Sequence, residues 1–275
     1  MLDKVEVRND QGSMLTLSLQ DLSNGFIVEE IQGLEPVKAN IVSSSFAQLD
    51  GEQYQSARRE KRNLILMLAL APDFVNTTVQ ILKDTLYKYF MPKQHVRLRF
   101  YSTGQPTVEI EGWIESFVAP KFTKDPQATI SILCFNPDFV NTTPVTVAGQ
   151  TTASTTTQLV TYSGTVETGF VLKLAVNRAL TAFTIFNTAP DGSLRSLDFQ
   201  SAIALQAGDV VEISTQSGNK YASLTRAGVK TSILYSISPQ SNWINFFPGA
   251  NQLRIYAGGA AIPYSIEYTT KFGAL

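Results

Sequence analysis

The chain has 275 residues, of which 44% are hydrophobic and 16% are charged, and its formal net charge is −1. This length is enough for two ordinary domains, the hydrophobic fraction excludes an intrinsically disordered chain, and the near-zero charge excludes long-range attraction of nucleic acid. The single cysteine, Cys134, excludes an intrachain disulfide. We expect no membrane insertion, because the longest apolar run, 64–72, is far shorter than the roughly 20 residues of a spanning helix. The N-terminus lacks a signal-peptide core, which favours synthesis in a cytoplasm.

The first half of the chain predicts strands and one helix. Thr77 and Gln80 form a Thr-x-x-Gln capping box, Leu82 and Leu86 follow at helical spacing, and Pro92 ends the pattern. Alternating or continuous apolar residues predict the strands, and the uninterrupted run at 62–70 is expected to be buried on both faces. The predicted strands are 14–19, 26–31, 62–70, 95–101, 108–114 and 128–135.

The second half predicts an all-β domain. Residues 142–157 are rich in Thr, Ser, Gln and Gly, which is typical of a linker. Beyond them, short apolar-alternating runs recur about every ten residues between turn dipeptides such as Gly218-Asn219 and Pro248-Gly249, which favours a β-sandwich or jelly roll. One of these predicted strands is 233–237. The expected domains are 1–143 and 158–275, with a linker at 144–157.

Catalytic chemistry has few candidate residues. His95 is the only histidine, so a His-rich metal site is excluded, and Cys134 on a predicted strand is expected to be a core residue. Glu109 and Glu111 have the spacing of a carboxylate pair that could serve hydrolysis, but strand alternation places both on the solvent face. We therefore predict no enzyme, no catalytic residues, no cofactor and no metal.

A binding role is the alternative function. Exposed aromatic rings beside Asn, Asp or Gln are typical of sugar sites in β-sandwiches. One stretch near the C-terminus has that composition, although its composition favours burial of Trp243 and Phe246 in the core over a sugar site. The alternative is a carbohydrate- or receptor-binding β-sandwich module that contacts a cell surface, and its glycan contacts would be Trp243, Asn245, Phe247 and Asn251.

A seven-residue segment occurs twice. Pro-Asp-Phe-Val-Asn-Thr-Thr stands at 72–78 and again at 137–143. The flanking sequences differ, so chance reuse of one strand-exit turn and an internal duplication both explain it.

Several stretches resemble a known family. Residues 207–215 read AGDVVEIST and residues 248–256 read PGANQLRIY, with Trp243 between them. Gly112-Trp113-Ile114-Glu115 precedes Cys134-Phe135-Asn136-Pro137 in the first half. In this order they resemble the distal tail protein (Dit) family of siphophage tail tips. The resemblance implies a mainly β fold with one helix in the N-terminal domain: an N-terminal, ring-forming, β-sandwich-like domain and a C-terminal galectin-like or jelly-roll β-sandwich.

The same resemblance implies a structural role in the virion. A ring of six copies would lie at the distal end of a long non-contractile tail, at the tail tip of a virion assembled in the host cytoplasm. It would connect the tail tube protein to the tail-tip hub, near the tape measure protein, and would serve as a platform for receptor-binding proteins. No nucleic-acid sequence recognition is expected.

The ring interface is predicted within 40–62 and in the strand at 64–70. The segment is polar, extended and too long for a tight hairpin, so it can embrace a neighbouring subunit, although a mobile surface loop would have the same composition. The predicted interface residues are Phe46, Gln48, Tyr54, Arg58, Arg59 and Arg62.

Overall fold

The computed structural model describes residues 1–21, 23–47 and 50–275. The chain divides into two compact units, Met1–Thr142 with Phe272–Leu275, and Thr143–Lys271. The predicted fold class, mainly β with one helix in the N-terminal part, is confirmed, since α1 is the only α-helix within the described ranges.

The regular elements follow one another along the chain. The first unit contains β1 (Leu2–Asn9), β2 (Met14–Ser18), β3 (Phe26–Gln32), β4 (Ala39–Ser45), β5 (Glu52–Arg59), β6 (Arg62–Leu70), α1 (Val79–Phe90), β7 (His95–Ser102), β8 (Val108–Val118), β9 (Gln127–Cys134) and β10 (Phe139–Asn141). The second contains β11 (Val145–Gln150), β12 (Gln158–Tyr162), β13 (Phe170–Ala175), β14 (Leu180–Thr188), β15 (Leu194–Leu205), β16 (Val210–Ser214), β17 (Tyr221–Arg226), β18 (Val229–Ser232), β19 (Gly249–Tyr256) and β20 (Pro263–Tyr268). The short β21 (Lys271–Phe272) comes last.

The first unit is built on one antiparallel sheet in the order β2-β1-β7-β8-β9-β6-β3, with β10 paired to β8 and β21. The end strands β2 and β3 approach each other, so the sheet curls around a core that also takes Leu82, Leu86 and Phe90 from α1. β4 and β5 form a separate two-stranded sheet.

Strand β6 differs in burial from its prediction. Its bounds are those predicted, but Leu64, Leu66, Leu68 and Leu70 are buried while the alternate residues are exposed or half-buried. Only one face therefore meets the core, as in an antiparallel sheet with one wetter face. The strand also lies between β9 and β3, so both its edges are paired. Both edges are thus used within the subunit, and a role of this strand in a ring interface stays a prediction.

Helix α1 begins one residue later than the capping box implied. Thr78 is the N-cap, and its hydroxyl accepts from Ile81 N at 3.3 Å. Gln80 does not reach back to the backbone, because its amide donates to Asp84 at 2.7 Å instead. Thr77 is used elsewhere: its hydroxyl accepts from the backbone N–H of Asp73 at 3.1 Å.

The second unit is a β-sandwich of two antiparallel sheets. One has the order β11-β20-β13-β16-β17-β18 and the other β12-β19-β14-β15. Their inward-facing residues form one core, in which the ring of Phe246 stacks on that of Phe170 at 4.8 Å between centroids. Strand periodicity in the sequence therefore led to the correct architecture for this half.

Two local predictions for the second half are wrong. The segment 144–157 is not a free linker: it contains β11, whose six residues pair with β20 from Val145↔Tyr268 to Gln150↔Pro263. Thr and Gln are poor at filling a core but fit a half-exposed strand. The predicted strand at 233–237 is instead a 3₁₀ turn at Leu234–Ser236, since Ser236 N bonds back to Ile233 O at 2.9 Å.

Within the described ranges, every helix is too short or too polar to cross a lipid bilayer.

Candidate assembly interface

The β4–β5 hairpin, here called the arm, is the most exposed regular element. Its register runs from Ala39↔Arg59 to Ser45↔Glu52, with a bulge after Val42. All residues of β5 and nearly all of β4 are exposed, and no third strand pairs with either among the described residues. An isolated two-stranded hairpin is marginally stable in water, so the arm is suited to packing on another molecule.

The two faces of the arm differ: one carries Val42 and Arg58, and the other carries Tyr54. Ser56 and Arg58 share a face with their β4 partners Val42 and Asn40, whereas the bulge pairs Tyr54 with Ser43 and so turns it to the other side. Tyr54 is 64% exposed, and Val42 and Arg58 are exposed as well. We call Val42, Ser56 and Arg58 the arm face.

Three of the predicted interface residues are exposed and could contact another subunit, whereas the remaining three differ from them. Phe46, Tyr54 and Arg58 are exposed on the arm, so their role stays a prediction. Gln48 lies outside the described residues. Arg59 makes a bidentate ion pair with Asp138 of its own subunit, with Nη2 to Oδ2 at 3.1 Å.

Arg62 is buried, which corrects its assignment to the interface. It is only 1% exposed, and its guanidinium donates to the backbone carbonyls of Pro137 at 2.8 Å, Glu35 at 2.7 Å, Gly273 at 2.6 Å and Gly33. Its Cζ lies 4.5 Å from the ring centroid of Phe139. These four carbonyl acceptors offset the cost of burying the guanidinium charge, which sequence polarity alone would place on the surface.

A second exposed feature follows β6 and was missed as a site by the sequence analysis. In the loop 72–78, Phe74 has a φ of +57° and is 77% exposed, and the adjacent Val75 is exposed too. Positive φ is unusual for a bulky residue. The Asp73 carboxylate holds this conformation by accepting from the backbone N–H groups of Val75, Asn76 and Thr77 at 3.1, 2.9 and 2.7 Å. These bonds, with that of Thr77 first, hold the pKa of Asp73 well below its usual value of 3.8.

The predicted glycan contacts do not form one exposed cluster. Asn251 is fully buried: its amide donates to Phe247 O at 2.7 Å, and its carbonyl oxygen accepts from Phe247 N at 3.0 Å. It fixes the turn before β19, so its assignment to a glycan site is corrected. Trp243, Asn245 and Phe247 are half-buried, and Arg195 stacks on Phe247 at 4.6 Å.

A polar pocket lies elsewhere on the second unit. It has a volume of about 330 Å³ and is lined by the Thr-rich loop and by residues of β19 and β20, including Thr152, Thr156, Arg254 and Tyr264. The phenol of Tyr264 donates to Gln158 at 2.6 Å. Burial raises the pKa of Tyr264 to about 12, so the phenol remains a hydrogen-bond donor at neutral pH.

The residues considered for catalysis are in structural settings. Glu109 lies between Arg97 at 3.0 Å and Arg99 at 2.8 Å on the strand face away from the core. His95 bridges Asp10 at 2.8 Å and Glu111 at 3.3 Å. Cys134 is buried, which raises the pKa of its thiol to about 12. Among the described residues no three His, Cys, Asp or Glu side chains are grouped to hold a metal ion.

Comparisons with known proteins place this fold among bacteriophage tail proteins. Residues 163–272 match the sequence profile of the family described as siphovirus-type tail component, C-terminal domain. The chain is similar to the SPP1 Dit protein, which is described as a paradigm of the hub adsorption apparatus in phages that infect Gram-positive bacteria, with a TM-score of 0.70 and 16% identity over 98% of this chain and 99% of that one. It is also similar to a chain of the phage P2 baseplate in its activated conformation, with a TM-score of 0.50 and 8% identity over the full length of both. No protein with a curated description matches the sequence.

The β-rich fold is thus that of the SPP1 Dit protein, and the second unit in addition carries the sequence profile of a tail component. The match covers 163–272 of the chain and agrees with the resemblance to the distal tail protein family.

Proposed function

We propose that this chain is a structural protein of the tail tip of a siphophage and that copies of it form a closed ring at the distal end of the tail tube. The ring, of six copies by the family resemblance, connects the tube to the tail-tip hub. The C-terminal sandwich serves as a platform for host-adsorption proteins. Tape measure and receptor-binding proteins are further partners in this proposal.

The observation that carries the ring is the arm. It is a paired, extended hairpin, yet its apolar side chains Ile41, Val42, Phe46 and Tyr54 are each more than half exposed. Burying apolar surface is the main favourable term in association, so such a projection favours contact with another subunit. A contact between an arm and a different surface of the next copy is heterologous, and such contacts close into rings when the rotation permits.

The comparisons support the location. The SPP1 Dit protein is described as a hub of an adsorption apparatus, and the P2 chain comes from a baseplate. Since both likenesses cover nearly the whole chain, both units take part in the shared fold. We propose on the same ground that the protein has no enzymatic activity, as its ion pairs and its buried thiol are structural.

The mass of the purified protein in solution tests the ring. Light scattering over a concentration series is expected to show a species of about 180 kDa, six chains of 30.2 kDa. The double variant Val42→Ser/Tyr54→Ser should shift the population towards monomer. The matched control is Val229→Ser, a residue as exposed as Tyr54 but located in the second unit.

Two results would contradict the proposal. A wild-type chain that is monomeric up to its highest soluble concentration is not a self-assembling ring. A wild-type oligomer that the arm variant leaves unchanged would show that the arm is not the contact. Circular dichroism of the variant separates loss of assembly from loss of folding.

A second candidate function is saccharide binding by the C-terminal unit. The polar pocket favours it, because hydroxyl groups of the Thr-rich loop, the Arg254 guanidinium and the Tyr264 phenol are the donors and acceptors that sugar hydroxyls use. A glycan screen tests it, with Arg254→Ala expected to abolish any binding and Arg178→Ala, outside the pocket, as the control. Binding that survives Arg254→Ala would exclude this pocket.

A further inference from the structure

The sheet of the first unit has an outward side that does not belong to its core. On β6, Ile65, Met67 and Ala69 alternate with the buried leucines and point outward. The register places Leu133 of β9 and Trp113 of β8 on the same side. These five residues, here called the outer face, lie outside the hydrophobic core, and Trp113 is 48% exposed. Apolar side chains grouped on a sheet face outside the core mark a surface for contact with another molecule.

The outer face is flanked by negative charge. Glu30 of β3 lies directly beside Met67, with Glu29 before it at the bulge, and Glu115 lies on the opposite flank on β8. All three carboxylates are exposed, and none forms an ion pair among the described residues. Strands β3, β6, β8 and β9 contain no lysine, and their one arginine, Arg62, is buried. The surface therefore combines apolar side chains with carboxylates that no cation of these strands neutralises.

The base of the arm carries the opposite charge. Arg58 on the arm face, and Lys38 and Lys61 beside the ends of the hairpin, are exposed. None of these three cations forms an ion pair within the described ranges, whereas Arg59 is already paired in its own subunit. The one carboxylate between Arg58 and Lys61 is that of Glu60. The arm base and the outer face are thus complementary in charge, which selects the partner and its orientation.

The arm does not pack on the outer face of its own subunit. It continues the β3–β6 pair beyond the end of the sheet, because only Glu60 and Lys61 separate β5 from β6. Every residue of β5 is exposed. The arm and the outer face are therefore two different surfaces of one chain, as a head-to-tail contact between identical subunits requires.

The dimensions of a two-stranded hairpin suit this surface. The four strands β8, β9, β6 and β3 span about 14 Å, at about 4.8 Å between neighbours. Packed sheets lie about 10 Å apart, with their side chains interdigitated. A hairpin laid along β6 and β9 would bury Val42, which is 51% exposed, and leave the carboxylates at its edges.

We propose that the arm face of one subunit packs on the outer face of the next, with Val42 over the β6 side chains and Arg58 beside Glu29 and Glu30. The inference rests on the proposed self-assembly and specifies the surface that receives the arm.

Charge reversal tests the contact. Arg58→Glu and Glu30→Lys are each expected to weaken association by at least about tenfold per contact, because each places like charges together. A chain with both substitutions should recover most of the loss, since every contact of a homo-oligomer then contains the reversed pair. The matched control is Lys88→Glu, at an exposed cation of α1, which should leave assembly unchanged. Light scattering gives the mass, and circular dichroism confirms that each variant is folded.

Cysteine cross-linking tests the same contact independently of charge. Ser56→Cys lies on the arm face, and Thr129→Cys lies beside Met67. The native Cys134 is buried with its pKa raised to about 12, so it stays unreactive. Mixed with a thiol cross-linker that spans about 10 Å, the spacing of packed sheets, the two variants are expected to give a cross-linked heterodimer. Ser193→Cys, in an exposed turn of the second unit, replaces Thr129→Cys as the control for random collision.

The outcomes are distinguishable from those of the ring itself. A wild-type oligomer without cross-linking above the Ser193→Cys control, or without recovery in the doubly reversed chain, overturns the packing of the arm on the outer face and leaves the ring standing. A wild-type chain that does not associate overturns both. Cross-linking above the control together with recovery in the doubly reversed chain supports the contact.

Discussion

The two copies of Pro-Asp-Phe-Val-Asn-Thr-Thr have the same sequence but differ in backbone conformation and in the burial of their phenylalanine. In 72–78 the backbone turns, Phe74 is exposed and Asp73 bonds to its own loop. In 137–143 the segment enters β10, Phe139 is buried and Asp138 pairs with Arg59, 79 positions away in the sequence.

The difference teaches that long-range partners decide the conformation of a short segment. The second copy has Glu109 and Val108 of β8 as strand neighbours and Arg62 above its ring. The first copy lies between the end of β6 and the N-cap of α1, where only local hydrogen bonds act. A heptapeptide has no intrinsic preference strong enough to override such surroundings.

The largest expected effect on the free energy of unfolding is that of Phe139→Ala, and it should contrast with that of Phe74→Ala. Phe139→Ala should lower the free energy of unfolding of the first unit by about 3 to 5 kcal/mol, because it leaves a cavity in the core. Phe74→Ala should change it by less than about 0.5 kcal/mol, as an exposed site does. Urea unfolding of the monomer, followed by Trp113 fluorescence in a Trp243→Phe background, reports on this unit alone. Equal effects of the two substitutions would contradict the comparison.

Arg62 should be the next most sensitive position. Arg62→Met removes donors from four buried carbonyl groups and is expected to lower the free energy of unfolding by about 3 kcal/mol, the upper end for a buried hydrogen bond to a charged group. The same fluorescence measurement applies. Arg58→Met, on the exposed arm, should be neutral in the monomer, and a comparable loss there would show that burial is not the cause.

Asp138 should contribute less. Asp138→Asn weakens its bidentate pair with Arg59, whose side chain is 39% exposed and partly screened, so a loss of about 1 kcal/mol is expected. Double substitution with Arg59→Met gives the coupling energy of the pair. A coupling energy of zero would mean that the ion pair between Arg59 and Asp138 does not contribute to stability.

The smallest effect concerns Asp73 and pH. Because hydrogen bonds lower its pKa in the folded loop, the ordering it provides is complete above its usual value of 3.8 and is lost only as the pH falls through the lower folded value. The amide resonance of Thr77 should therefore titrate with a midpoint below 3.8, and the titration should be absent in Asp73→Asn. A midpoint at 3.8 would mean that the carboxylate does not hold the loop.

Much of the fold was predictable because strand periodicity is local. Alternation or apolar runs in 62–70, 95–101 and 128–135 predicted strands that match β6, β7 and β9 within a few residues. The segment 144–157 was misinterpreted as a linker, since its composition does not reveal that β20 is available for pairing.

The candidate interface was only partly predictable. Sequence polarity placed the arm on the surface, which the exposure of Tyr54 and Arg58 agrees with, but it also placed Arg62 there. No local signal distinguishes an arginine that meets four distant carbonyl groups from one that meets water. Asn251 was misassigned for the same reason, as its partners lie in the turn it closes.

The sequence by itself determined the mainly β character and the resemblance to a family of tail proteins, because these follow from periodicity and from residue order along the chain. Only the tertiary structure decided which of two identical heptapeptides exposes its phenylalanine, and whether a charged residue such as Arg62 is buried. Both depend on contacts between residues far apart in the chain, and burial is a property of the packed molecule rather than of any segment within it.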